Sequence, residues 1–371
     1  MSFHHTGEGY RSFRPHDGRR SNLSLVLQTL YDEPQLSRAG LARQTGLTKV
    51  TISDLVAELI EAGLVEETGM APGVRPGKPA ATLAVREDSC DIVALDLSAS
   101  DQLRAGVYSL KGVSRAQTTV NLDGRTGADA VQTVLDLTAR CVSLATKPIL
   151  GIGVGSPGTV DLSGTILAAP NLGWQNLPLQ DMIAERFSLP TIVQNDANAA
   201  VIAEKVFSDA GSTLLRVQIS RGVGAGVLLS GSLVLGSSAA AGEIGHVVIE
   251  HDGRPCSCGK RGCLETWISV PALSGRLSAQ AVREDVVEEA GRRLGMALAP
   301  VVVALDLPEV VLGGPADLID STFLAACLGL VLERTHSDFR QDLTMRLSSL
   351  GNEAVLLGAV SLVLRTILGV S

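Results

Sequence analysis

Apolar positions in the first ninety residues recur at helical spacing. Leu23, Val26, Leu27 and Leu30 share one face of a helix expected over 22–31. Ser37 reads as the N-cap of a short helix through Gln44, and Gly46 permits a tight turn. Thr48 then caps a longer helix that carries Ile52, Leu55, Val56 and Leu59 on one side, and Gly63 ends it. The following "LVEETGMAPGVRPGKPAATLAV" reads as a hairpin with a Gly/Pro-rich tip. Residues 1–20 are polar and aperiodic and are expected to form a flexible basic arm with Arg11, Arg14, Arg19 and Arg20.

From about residue 89 short apolar runs alternate with helical patterns. "CDIVALDLSAS", "LRAGVYSL" and the glycine-rich "ILGIGVGSPGTVD" read as strands and turns. "LPTIVQNDANAAVIAEKVF" reads as strand, polar turn and helix, and "TLLRVQISRGVGAGVLLSGSLVLG" as two or three strands around a glycine loop. After residue 270 the pattern is helical except for "PEVVLGGPADL". Strands alternating with helices place this part in the α/β class.

Three helices followed by a basic hairpin describe a winged helix-turn-helix over residues 21–88. A helix fits the DNA major groove, where small polar side chains near its start reach base edges. Thr48, Lys49, Thr51 and Ser53 hold those places. Arg43 on the preceding helix, and Arg75 and Lys78 in the hairpin tip, are candidates for phosphate or minor-groove contacts. Asp54, Glu58 and Glu61 make the back of the helix acidic. That limits non-specific affinity and implies a dimer, or a tetramer, reading two half-sites of double-stranded operator DNA.

Composition narrows the classes. The net charge of −8 argues against binding nucleic acid over the whole surface, though not through one local module. Six cysteines in 371 residues are no disulfide scaffold. No apolar leader follows the early charges, and no uncharged apolar stretch reaches about 18–20 residues, so a cytoplasmic protein without a membrane span is expected.

Three of the six cysteines fall within the eight positions of "CSCGKRGC". His246, Cys256, Cys258 and Cys263 supply one imidazole and three thiols, a set suited to a closed tetrahedral Zn²⁺ site. Lys260 and Arg261 would offset the thiolate charge. The loop 246–263 is bordered by Glu243 and Glu265, which a fixed loop would present together with His246.

The ordered series "GIGVGSPGTVD", "QNDANAAVIAE", "GVGAGVLLSGSLVLGSSAAAGEIGH", "CSCGKRGCLE" and "VVLGGP" resembles the ROK family, which joins sugar-responsive repressors and sugar kinases. The resemblance covers residues 90–371, and the leading winged helix-turn-helix resembles the repressor branch. It implies a two-lobed actin-like, sugar-kinase-like (ribonuclease H-like) domain over 89–371 and a structural zinc. It also implies a sugar or sugar-phosphate effector held by Asn195, Asp196, Glu243, His246 and Glu265. In the kinases the Asp196 position is the general base. The kinase phosphate loops are altered here. Asp-x-Gly-Gly-Thr becomes Asp96-Leu97-Ser98-Ala99-Ser100, Gly-Thr-Gly becomes Ser220-Arg221-Gly222, and Pro315 replaces a common glycine. Each change removes close backbone approach to phosphate. A regulator without catalysis is therefore expected, the alternative being a kinase that phosphorylates a hexose or amino sugar with ATP.

Overall fold

The computed structural model describes residues 15–70, 81–99, 101–279, 282–335 and 343–370. The chain divides into two compact units, Met1–Ser89 with Arg365–Val370, and Cys90–Leu364. The sequence assigned the whole C-terminus to the second unit. Its last described residues instead join the first, where the Arg20 guanidinium donates to the Thr366 carbonyl over 3.4 Å.

In the first unit, α1 (Pro15–Asp32) buries Val26, Leu27 and Leu30. The short β1 (Leu36–Ser37) leads to α2 (Arg38–Thr45), capped by Ser37, and Gly46 follows in the left-handed conformation. Then come α3 (Lys49–Glu61), β2 (Val65–Met70) and β3 (Ala81–Val85), with the sheet ordered β1-β3-β2. The buried face of α3 is the expected Ile52, Leu55, Val56 and Leu59. The expected arm needs correction, because α1 already begins at Pro15, seven residues before the helix that the apolar periodicity marks. The polar residues before Leu23 add no apolar signal to reveal the extra turns. Arg19 is no free basic residue: its guanidinium pairs with Glu58 of α3 at 2.6 Å. Arg11 and Arg14, like Arg75 and Lys78, lie outside the described residues.

The second unit opens with β4 (Asp91–Asp96), β5 (Gln102–Tyr108) and β6 (Ser114–Asn121). Helix α4 (Gly127–Leu144) leads to β7 (Ile149–Ser156). A small sheet of β8 (Thr159–Val160), β9 (Ile166–Ala169) and β10 (Trp174–Leu177) follows. Next are α5 (Leu179–Phe187), β11 (Thr191–Asn195) and α6 (Asp196–Phe207). The second half carries β12 (Leu214–Ile219), β13 (Val223–Leu229) and β14 (Ser232–Leu233). It continues with α7 (Glu265–Ile268), α8 (Val270–Ser278), α9 (Arg283–Leu305), β15 (Glu309–Gly313), α10 (Ser321–Arg334), β16 (Thr344–Leu347) and α11 (Ala354–Val363).

Two five-stranded sheets result, ordered β11-β7-β4-β5-β6 and β14-β13-β12-β15-β16. They repeat one plan. In each, the first three strands in chain order form an antiparallel meander, and the next two add in parallel on the other side of the first strand. Each sheet has its own core, Val93–Leu95–Val154–Ile183 in the first lobe and Val217–Leu264–Leu298–Phe323 in the second. The sequence did not show β16. Its four residues are too few for a period, and only Met345 is buried, so the strand exists through its parallel pairing with β15.

Helices α6 and α11 pack closely, which needs glycine: a Cβ on Gly358 would overlap the Ala199 carbonyl. The stretch Gly351–Leu368 is long and apolar enough to cross a membrane by length and composition, with mean hydropathy 1.4, although it carries Glu353 and Arg365. Its helix α11 is a core element here, with Ala359, Val360 and Val363 fully buried. Below the second sheet, Arg216 and Glu204 are both fully buried and pair at 3.2 Å. Arg346 joins Glu204 at 3.2 Å and Glu309 at 2.8 Å, and Ser348 and Ser208 donate to the same Glu204 carboxylate.

Candidate functional site

The loop after β14 returns through a short 3₁₀ turn, Ile244–His246, and closes on itself. Bridges Val248–Cys263 and Pro255–Arg261 zip its two sides together. Gly262 holds φ +71°, and a Cβ there would overlap the Glu250 carbonyl, so no other residue fits this closure. Trp267 of α7 donates from Nε1 to Glu250 at 3.0 Å, and Arg293 of α9 stacks 3.2 Å from its ring centroid. The loop is thereby fastened to two helices.

Within it, the ligand atoms of His246, Cys256, Cys258 and Cys263 lie within 4.8 Å of one another. Cys258 Sγ is 3.7 Å from Cys263 Sγ, and Cys256 Sγ is 3.5 Å from His246 Nδ1. A disulfide needs about 2.0 Å between sulfurs. A tetrahedral metal with sulfur bonds of about 2.3 Å gives edges near 3.7 Å. The donor set therefore fits a metal ion. The Lys260 backbone N–H lowers the Cys258 thiol below its usual range, whereas burial raises Cys263 to about 12. A dication is the charge that would hold both as thiolates.

His246 has a second face. Its Nδ1 lies beside Cys256, its Nε2 lies 4.0 Å from Glu243 Oε2, and both His246 and Glu243 line the neighbouring cavity. That cavity, of about 420 Å³, is lined by Asn195, Asp196, Glu243, His246 and Glu265 together. The five residues inferred for sugar contact, spread over seventy positions of sequence, thus meet in one place. Asn195 caps α6: its Oδ1 accepts from Asn198 N at 3.0 Å, and its Nδ2 donates to Gly158 O at 2.8 Å and to Asp196 at 3.1 Å. Glu265 Oε2 accepts from Val223 N at 3.1 Å, which joins α7 to β13. Burial raises the Asp196 carboxyl to about 7, with Asp96 and Glu243 adding to the effect. Burial raises Glu243 as well.

Asn171 also lines the cavity. Trp174 is a packing residue whose Nε1 donates to Gly127 O at 3.0 Å. The sequence reading missed Gln218. It lines the cavity, and Arg216 Nη1 donates to its Oε1 at 2.6 Å. Two polar residues two apart in the apolar strand "LLRVQI" were the available signal, since they share one face.

In the first unit, Arg43, Thr48, Lys49 and Ser53 are exposed and Thr51 is half-buried. The Thr48 and Thr51 hydroxyls bond each other at 2.9 Å, and Thr48 accepts from Thr51 N at 3.2 Å. Ser53 Oγ donates to Lys49 O at 2.9 Å. Lys49 therefore stands at the free end of the helix beside Val50, an apolar residue 71% exposed that the sequence reading passed over.

A helix-turn-helix with a strand pair, joined to a duplicated two-lobed domain with a cleft and a thiol-rich loop, defines a DNA-reading unit fused to a sugar-kinase-like domain. The ROK family model matches residues 100–366, and the chain belongs to the ROK family. A MarR family model matches residues 24–72. The chain is 29% identical to the xylose repressor of Caldicellulosiruptor bescii over 388 aligned residues, covering 94% of this chain and 97% of that one. Among solved structures it resembles a ROK family transcriptional regulator, a homolog of the E. coli MLC protein, with TM-score 0.83, 24% identity and coverage of 94% and 96%. A ROK family glucokinase from Streptomyces griseus, in complex with glucose and AMPPNP, matches 73% of this chain and 98% of its own at TM-score 0.64 and 24% identity.

Proposed function

We propose that this protein is a sequence-specific DNA-binding transcriptional regulator, a repressor whose operator affinity is set by a sugar bound in the cleft. The observation that carries the reading is the meeting of Asn195, Asp196, Glu243, His246 and Glu265 in one cavity beside the metal cluster, in a chain with its own helix-turn-helix. Near-full-length similarity to a repressor supports it, whereas similarity to the glucokinase leaves out the DNA-reading unit. The metal is zinc, held by His246, Cys256, Cys258 and Cys263, and its chemistry is structural: it closes the loop. The chain's own side chains then grip hydroxyls, and carboxylates accept from them more strongly than neutral groups do.

Catalysis is absent in this reading. Asp96, at the head of the first altered phosphate loop, is occupied: Ser98 N and Oγ donate to it at 2.9 and 2.6 Å, and Arg104 pairs with it at 2.7 Å. A magnesium nucleotide would have to displace all three. Asp196 remains as a hydroxyl acceptor. Two copies reading two half-sites complete the picture, with sugar favouring one arrangement of the lobes and DNA the other.

The decisive experiment selects duplexes from a random pool with the full chain, then titrates the selected sequence in the presence of a sugar panel. A selected motif whose affinity falls with one sugar is expected. No selected motif, or no sugar that moves the affinity, overturns the reading. Lys49→Ala should cost about 1–3 kcal/mol on the selected site, while Arg43→Ala should weaken all duplexes alike and reduce the salt slope by about 1. Fluorescence anisotropy against salt concentration measures both.

Sugar affinity should also depend on pH. The folded chain keeps a proton on Asp196 that the unfolded chain loses at 3.8, so the stability this group contributes is complete below 3.8 and is lost as pH rises through about 7. A hydroxyl donated to the ionised carboxylate binds that form. Affinity should therefore rise about tenfold from pH 6 to pH 8, with a proton released on binding near pH 6. Asp196→Asn should flatten the profile. Calorimetry in two buffers of different ionisation enthalpy reads the proton directly.

A further inference from the structure

The sugar cavity adjoins a second one of about 440 Å³, and the two share Ser98, Gln218, Ser220, Arg221 and Pro271. Each alone has the size of a small-molecule site, roughly 300–1,000 Å³. A single sugar ring gripped by the five polar residues leaves the second chamber unused.

The chemistry of that chamber is specific. Its charged lining residues are Asp96, Asp101, Arg104 and Arg221, two of each sign. Asp96 is almost wholly buried and already neutralised by Arg104. Arg104 also donates to the Asn352 carbonyl and pairs with Glu353 at 3.5 Å. Tyr108 and Gln117 each donate to Glu353 at 2.9 Å, so the wall before α11 is anchored from the first sheet. The lining also includes the apolar Ile219, Pro271, Pro315 and Val355. At the boundary, Gln218 has its Oε1 occupied by Arg216, which leaves its amide N–H groups as the polar function for a ligand. Two charges of each sign, with Asp96 paired to Arg104, give the lining no net positive charge to draw a polyanion. A lining that mixes apolar side chains with a few donors and acceptors suits a group with both apolar and hydroxylated faces.

We infer that the second chamber takes a neutral second sugar ring, so that the effector is a disaccharide or short oligosaccharide spanning both cavities. This rests on the sugar-effector reading above. Shared boundary residues make one continuous ligand the natural occupant, and the first ring then positions the second without a further loss of translational freedom.

Calorimetry on the full chain tests it with matched pairs: xylose and xylobiose, glucose with cellobiose and maltose, and N-acetylglucosamine with its β-1,4 dimer. Magnesium AMPPNP is the competing probe. In one pair the dimer should bind at least about tenfold tighter than its monomer. Ala99→Phe places a ring in the second chamber, which Ala99 lines, away from the five sugar contacts. It should erase the dimer's gain and leave monosaccharide affinity within about twofold, with metal content and circular dichroism unchanged. A dimer that binds no tighter than its monomer, a gain that survives Ala99→Phe, or nucleotide binding abolished by Ala99→Phe overturns this inference while the sugar reading stands. Absence of binding by every sugar overturns both.

Discussion

Replacing Cys263 by serine will strip the metal from the chain and take the sugar affinity with it. Cys263 is fully buried at the closing bridge with Val248, so the proposed metal ligand is also a closing residue of the loop. Loss of a group that only orients a ligand costs about 10–100-fold in metal affinity, and loss of a ligand itself costs more. The wild-type chain should carry one zinc, measured by atomic absorption, and the variant none. His246 faces both the cluster and the cavity, and Glu243 and Glu265 border the same loop, so sugar affinity should fall at least about 100-fold, or about 3 kcal/mol. The lobes have separate cores and keep their circular dichroism. Selected DNA should still bind, now without response to sugar. A variant that binds sugar at wild-type affinity with no metal would show that the ion does not organise the site.

Glu204→Leu will destabilise the chain by about 3–5 kcal/mol, far more than Arg216→Leu. The reason is the asymmetry of the buried network. Glu204 is the one carboxylate between Arg216 and Arg346, and two serine hydroxyls also donate to it. Its removal leaves the fully buried Arg216 guanidinium hydrogen-bonded to Gln218 but, among the described residues, without a directly paired carboxylate. Removing Arg216 leaves Glu204 paired with Arg346. Denaturant titration of both variants measures the difference. The Glu204 variant should melt about 10 °C below wild type. Equal losses would mean that Arg346 does not share the carboxylate.

Much of this protein is written in its sequence, where local chemistry decides. The caps Ser37 and Thr48, the left-handed Gly46 and the buried face of α3 follow from short-range hydrogen bonding and a 3.6-residue period, so the DNA-reading helix was legible in detail. The metal cluster was legible because three of its four ligands are crowded into one turn. Two elements stayed hidden for opposite reasons. The first turns of α1 carry polar residues that leave no apolar period, and β16 is too short to have one.

Sequence alone determined which donor groups stand at which spacing, because donor type and spacing are covalent properties. Tertiary structure decided how they are used. It set the two nitrogens of His246 beside different neighbours, Cys256 and Glu243, filled Asp96 with Arg104 and Ser98, held Gln218 through Arg216, and formed a second chamber beside the first. Each of these depends on contacts between strands and helices far apart in the chain. Such contacts arise when the two sheets bury their faces, and no local pattern encodes them.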